Sequence, residues 1–238
     1  MALRWRILLL LVVARLGLGL HFQTLISVST DVATAFSLSF AEVGLFIGLF
    51  MAPGILLSLP SGYLGRVFSD QRITVAGLLL LACGGVVSAL ATAPWLIGSG
   101  RAVAGAGFVI SNIYLTKMVA DWFEGREIAT AMSALTTSWP MGIAIGQVGH
   151  VWLAAQFGWQ AAFLGAAVFC TMLALAMAVL YQPPPRETVP PKAITKRLLR
   201  AEWLLIFVAG LAWAFFNAAY VVYLTYGPLS LEARGMTP

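Results

Sequence analysis

The stretch AGLLLLACGGVVSAL, residues 76–90, carries no charge and no alternation of polar with apolar side chains. Comparable runs recur near residues 7–29, 42–62, 73–92, 95–118, 129–154, 161–181 and 203–226. Each reaches the roughly 20 residues that a helix needs to cross a hydrocarbon core at about 1.5 Å per residue. A membrane β-barrel would instead show segments of about ten residues alternating in polarity. With 61% of 238 residues hydrophobic and 10% charged, there is more apolar surface than a water-soluble interior could bury. The chain is expected to be all-α, a polytopic bundle of membrane helices with the lipid bilayer as its solvent.

Short breaks separate the runs, among them STDVATAFSLSFAE, GRVFSDQR, ADWFEGRE and FGWQ. One break is longer. Its prolines and basic residues, QPPPRETVPPKAITKRLLR, mark a stiff solvated linker, giving a six-helix segment over 1–181, a linker over 182–202 and a seventh span with its following loop over 203–238. Arg4, Arg6, Arg66, Arg72, Lys117, Arg126, Arg186, Lys192, Lys196, Arg197 and Arg200 all fall on one side, whereas the opposite breaks hold no Lys or Arg before Arg234. The positive-inside rule therefore predicts a cytoplasmic N-terminus. Trp5, Trp95, Trp122, Trp159 and Trp203 lie at span ends, as interfacial belts require. A cleaved signal peptide fits the start poorly, because Arg15 interrupts the apolar core. Cys83 and Cys170 sit inside apolar runs without CxxC spacing and read as inert thiols.

Three segments, taken in order, resemble the major facilitator superfamily of secondary transporters. LPSGYLGRVFSDQR is similar to that family's loop between helices 2 and 3, with Gly62, Leu64 and Arg72 matching, although Arg66 stands where the family carries an acid and Ser69 replaces a glycine. Arg101, Gly105 and Gly107 match its R-x-x-x-G-x-G pattern in helix 4, and MVADWFEGREIATAMS resembles its helix 4 to 5 loop. The resemblance implies an N-terminal six-helix half, a cytoplasmic linker and the first helix of a second half. The expectation is a truncated chain, lacking a C-terminal half or a second chain as partner; Met236, Thr237 and Pro238 read as the start of an eighth helix.

Charge inside the spans directs attention to a site. A cation at mid-membrane costs roughly 2.5–3.5 kcal/mol on insertion scales, so it needs a partner or a task. Arg101, Gly105, Phe108 and Asn112 share one helical face, and Arg15 shares one with Phe22. In the family fold helices 1, 4, 7 and 10 line the central cavity, so the resemblance places Arg15, His21 and Gln23 with Arg101 and Asn112 at a substrate site. The face of Trp213, Asn217 and Tyr220 adds an aromatic wall from the seventh span. Two readings of Arg101 stand side by side: contact with an anionic substrate, or binding to backbone carbonyls in a structural or coupling role. His21 is either a packing residue or the carrier of a coupling proton, and His150 reads as interfacial. Gly44 with Gly48 and Gly142 with Gly146 have spacings that let helices approach closely, while Pro53 with Gly54, and Pro140, mark kinks.

The residues exclude several classes. No carboxylate lies deep in a span, the seventh span has no lysine for a Schiff base, and neither a nucleophile–base pair, a metal cluster nor a phosphate-binding glycine loop is present, so no enzyme activity and no cofactor are expected. The basic balance belongs to membrane topology, and no nucleic-acid partner is expected. The expected function is alternating-access transport of a small organic or inorganic anion, as a symporter with H+ as a candidate coupling ion, in a bacterial inner membrane. The alternative is a scaffold fragment that does not transport alone or depends on a partner.

Overall fold

The computed structural model describes residues 3–125, 127–185 and 199–232; within it the chain divides into two compact units, residues 1–184 and 185–238. Every regular element among the described residues is a helix. The first unit holds α1 (Leu3–Ser27), α2 (Ser29–Phe36), α3 (Phe40–Met51), α4 (Pro53–Leu64), α5 (Asp70–Ala89), α6 (Pro94–Phe123), α7 (Ile128–Phe157) and α8 (Trp159–Leu180). The second holds α9 (Arg200–Glu232). Seven helices are long and apolar enough to cross a membrane, α3 and α4 counting as one of 25 residues. The linker residues 186–198, together with Arg126, Arg234 and the terminal Met-Thr-Pro, lie outside the described residues. Below, the near side is the one on which α1 begins and the far side the one on which it ends.

Two boundaries differ from the sequence expectation. The break after α1 contains a helix of its own, α2, anchored by the fully buried Val32 and ended by Ser37 in the left-handed region at φ 53°. Its polar composition hid it. The expected kink at Pro53 is an interruption of one residue: Ala52 keeps helical angles of −55° and −40°, and Pro53, lacking an N–H, starts α4. Ser39 and Glu42 form a reciprocal capping box that starts α3.

Close helix packing explains the glycines. A Cβ on Gly77 would lie 2.9 Å from the Gly107 carbonyl oxygen, and one on Gly84 would lie 2.4 Å from that of Gly100. These two levels, seven residues apart on each helix, clamp α5 to α6 backbone to backbone. Gly105 meets α3, where an added Cβ would stand 2.0 Å from the Phe50 carbonyl oxygen, and Gly142 meets α1 at 2.1 Å from that of Leu16. The packing role expected for Gly142 and Gly146 is therefore present, with Gln23 and Leu20 of α1 opposite Gly146. For Gly48, a Cβ would meet nothing within 4 Å among the described residues.

Candidate functional site

Arg101 is fully buried, and its position answers why the charge is tolerated. Nη1 donates to the His21 carbonyl and to Thr24 Oγ1, each at 3.3 Å, and Nη2 donates to the Phe22 carbonyl at 3.2 Å. The guanidinium carbon lies 4.4 Å from the Phe50 ring centroid and 5.9 Å from that of Phe22. Backbone dipoles and ring quadrupoles spread the charge where a carboxylate would otherwise be needed. This is the carbonyl-binding arrangement, joining α6 to the far half of α1.

Beside it, four rings from four helices close on themselves. Phe22 of α1 lies 5.5 Å from Phe50 of α3, Phe50 lies 5.3 Å from Phe108 of α6, Phe108 lies 5.1 Å from Trp139 of α7, and Trp139 lies 5.5 Å from Phe22. Phe22 and Phe50 are buried, whereas Phe108 and Trp139 are half-buried and leave part of the layer open. Phe50 and Trp139 were not singled out from sequence. The available signal was Trp139 itself, a tryptophan far from either end of its span and so outside any interfacial belt.

Arg15 and Asn112 lie on the near side of this layer. Arg15 is seven residues before Phe22, about two turns and ~10 Å along the same face of α1; Asn112 is one turn beyond Phe108 on α6. Arg15 is half-buried, its Nε is sealed from solvent, and among the described residues its guanidinium has no hydrogen bond and no ion pair. Asn112 Oδ1 is likewise sealed and unpartnered.

The other predicted residues separate. On the far side His21 stacks on Phe50 at 6.0 Å, with its Nε2 fitted against Gly85. Gln23 donates from Nε2 to Gln147 Oε1, which also accepts from Ser27 Oγ at 3.1 Å. His150 is 2% exposed, so it lies inside the bundle and the interfacial expectation is corrected; Gly146 leaves room for its ring to fold toward α1. The stripe expected to run through Arg101, Gly105, Phe108 and Asn112 is divided, because Gly105 lies against the α3 backbone. In the second unit Trp213, Phe216 and Tyr220 form a ladder with centroids 6.0 and 6.2 Å apart, and Asn217 donates to the Trp213 carbonyl at 2.8 Å.

The near-side motif residues build a charged corner. Lys117 Nζ bridges Asp70 Oδ2 at 2.5 Å and Asp121 Oδ2 at 2.8 Å. Tyr114 donates to the Ser61 carbonyl at 2.7 Å, satisfying the end of α4. Ser69 caps α5 by accepting from the Arg72 N–H, Arg66 stacks on Tyr63 at 4.8 Å, and the Arg72 side chain is exposed. Leu64 is half-buried, and among the described residues a Cβ on Gly62 would meet nothing within 4 Å. Next to this corner, outside the spans, burial pushes the Tyr181 hydroxyl up to about 12.

A family model described as Major Facilitator Superfamily matches residues 7–238. A 2-nitroimidazole transporter of Escherichia coli K12 is 31% identical over 134 residues, covering 56% of this chain and 34% of that protein. The inner membrane transport protein YajR of the same strain is 26% identical over 131 residues, 55% of this chain and 28% of that protein. The matched part thus spans about a third of these relatives' length. Among solved structures, a bacterial homolog of the human lysosomal transporter Spinster, inward-facing and unoccupied, superposes with a TM-score of 0.71 at 20% identity, over 98% of this chain and 55% of that one. Tetrameric PepTSo2 gives 0.62 at 15% identity, over 98% and 52%.

Proposed function

Because the chain belongs to the Major Facilitator Superfamily, we propose that it serves a secondary carrier that moves a small organic or inorganic anion by alternating access, with a proton as the coupling ion. One observation carries this reading. Arg15 is a half-buried guanidinium with no counter-ion among the described residues, placed on the near side of an aromatic layer that is itself open on two rings. Partly desolvated donors without a partner favour a bound anion, and Asn112, on the same near side of the layer, carries an unpartnered amide oxygen and an amide nitrogen able to orient it. Arg101 acts differently, holding α1 to α6 so that the layer keeps its shape. Rocking needs a second half opposite this unit, from the same polypeptide or from a second chain.

A second reading has its own support. The relative named for 2-nitroimidazole suggests a flat heterocycle, and the closed ring of Phe22, Phe50, Phe108 and Trp139 offers a stacking surface for one. In both readings Arg15 donates to oxygen atoms of the ligand.

Uptake of nitrate, acetate and 2-nitroimidazole into proteoliposomes by the full carrier separates the readings. Arg15→Gln is expected to weaken apparent affinity for the transported anion about tenfold, corresponding to ~1.4 kcal/mol for a lost charged hydrogen bond, with abundance unchanged. Unaltered uptake kinetics in Arg15→Gln would overturn the site. Sidedness follows the same reading: in a background of Cys83→Ser and Cys170→Ser, Val67→Cys should react with an impermeant thiol reagent from the cytoplasm and Phe157→Cys from outside.

A further inference from the structure

We infer that α4 is a releasable strap, hinged at Ala52–Pro53 and latched to α6 by the hydrogen bond from Tyr114 to the Ser61 carbonyl, so that it can lift from α6 while the helices around it stay packed. Its service in opening the near side during transport rests on the carrier reading above; the latch itself does not.

The two halves of this span are held differently. α3 buries Val43, Phe46, Ile47 and Phe50, a stripe at helical spacing. Its backbone meets α6 at Gly105, and Gly98 of α6 makes room for two of its side chains, Leu49 and Phe46, which lie 3.1 and 3.2 Å from where a Cβ would stand. In α4 the buried residue is Ser61, while Ile55 and Leu59 are each 84% exposed. Exposed apolar side chains suit lipid, but they tie α4 to no neighbouring helix. Its glycines make no close approach either. A Cβ on Gly54 would find Val109 at an ordinary 3.4 Å, and one on Gly62 would find nothing within 4 Å among the described residues.

Among the described residues one hydrogen bond joins α4 to another helix, from Tyr114 Oη to the Ser61 carbonyl at 2.7 Å, and both residues are only 2% exposed. That carbonyl is among the last four of α4, which have no donor inside the helix. Gly65 supplies the notch for the ring: a Cβ there would stand 3.0 Å from the Tyr114 hydroxyl and 3.3 Å from its Cε1. The helix is also weakened where it would have to bend. Pro53 offers no N–H to the Leu49 carbonyl, and the Ile55 N–H reaches the Ala52 carbonyl at 3.1 Å, a three-residue step. Pro60 likewise removes the N–H that the Leu56 carbonyl would accept. On either side the chain is fixed, α3 on α6 at Gly105 and α5 on α6 at Gly77 and Gly84. α4 is therefore slung between two anchored helices, and its freedom is to lift sideways. Release exchanges the bond between Tyr114 and Ser61 for bonds to near-side water, a nearly balanced trade, and parts no backbone-to-backbone contact between helices.

Pulsed electron paramagnetic resonance on the full carrier in lipid nanodiscs tests the strap. In a background of Cys83→Ser and Cys170→Ser, one spin label goes on the exposed Val168 of α8 and the second on either Leu59 of α4 or Leu45 of α3, both exposed. Tyr114→Phe keeps the ring and removes the latch. It should raise the ratio of released to latched populations in the Leu59–Val168 distances about fivefold, while the Leu45–Val168 distances stay as they were. Gly65→Ala, which crowds the hydroxyl from a residue with an ordinary φ of −66°, should act in the same direction. Pro53→Ala returns an N–H to the Leu49 carbonyl where Ala52 already has helical angles, so in the Tyr114→Phe background it should restore part of the latched population. Leu59–Val168 distances indifferent to Tyr114→Phe, or Leu45 and Leu59 responding alike, overturn the inference. Uptake of nitrate and acetate by the same carrier keeps the two readings apart. A strap that releases in a carrier taking up neither anion breaks the anion reading alone, and saturable uptake with an immobile α4 breaks the strap alone.

Discussion

Two arginines lie inside the same six-span unit, on opposite sides of one aromatic layer, and their surroundings are opposite in kind. Arg101 has three hydrogen bonds to α1 and two rings beneath its charge. Arg15 has neither a hydrogen bond nor an ion pair among the described residues, yet half of it is covered by protein. A buried cation with fixed partners holds helices together; one whose donors are idle is available to something that comes and goes. From sequence both were placed at the substrate site, with binding to backbone carbonyls as the second reading of Arg101.

The largest expected effect breaks that contrast if it is wrong. Arg101→Gln removes the charge that three α1 oxygens and two rings have been arranged around, and should destabilise the unit by about 3 kcal/mol. Arg15→Gln removes no internal bond, so its stability change should stay within about 1 kcal/mol. Thermal unfolding in detergent, followed by circular dichroism, measures both. Equal losses in the two variants would mean that Arg15 has a structural partner after all.

A smaller effect sharpens the comparison. Gly105→Ala places a methyl group where Phe50's carbonyl oxygen now stands, 2.0 Å from the ideal Cβ, so α3 must move away from α6. Phe50 would then withdraw from Arg101 and from Phe108. Overpacking of this kind costs about 1–3 kcal/mol. Unfolding temperature should fall accordingly, and a Trp139→Phe control, which keeps an aromatic ring in the layer, should fall less. A silent Gly105→Ala would place α3 farther from α6 than described.

Span positions and helical character were legible because the hydrocarbon core imposes a length and a composition on every crossing segment. Arg101 was legible as an anomaly, with carbonyl binding as one of two readings; its particular partners, two α1 carbonyl oxygens and the Thr24 hydroxyl, were not, since carbonyl oxygens occur on every residue. The four-ring layer was not legible. Residues 22, 50, 108 and 139 come from four helices, and helical periodicity relates positions only within one helix. Glycine spacing has the same limit: Gly44 with Gly48 and Gly142 with Gly146 read alike, but which face meets a neighbour is decided by helix rotation in the bundle. The contacts that clamp α5 to α6 are spaced by seven on each helix, a pattern obscured among the chain's 23 glycines. His150 was assigned by depth, and depth does not tell which way a side chain turns.

The smallest effect belongs to the near-side corner, where charge is again paired but in contact with water. Lys117 bridges Asp70 and Asp121 with its own side chain about half exposed. Exposed pairs are screened and lose side-chain entropy when they form, so geometry as short as 2.5 Å does not translate into much stability. Lys117→Gln should therefore change unfolding free energy by less than about 1 kcal/mol, and the change should shrink further in 1 M salt. The same salt step should leave the Arg101→Gln deficit unaltered, because solvent ions do not reach a fully buried guanidinium. A Lys117→Gln deficit as large as that of Arg101→Gln, or one insensitive to salt, would show that the corner is closed to water and that the two sides of the layer differ less in solvation than the exposure of Lys117 implies.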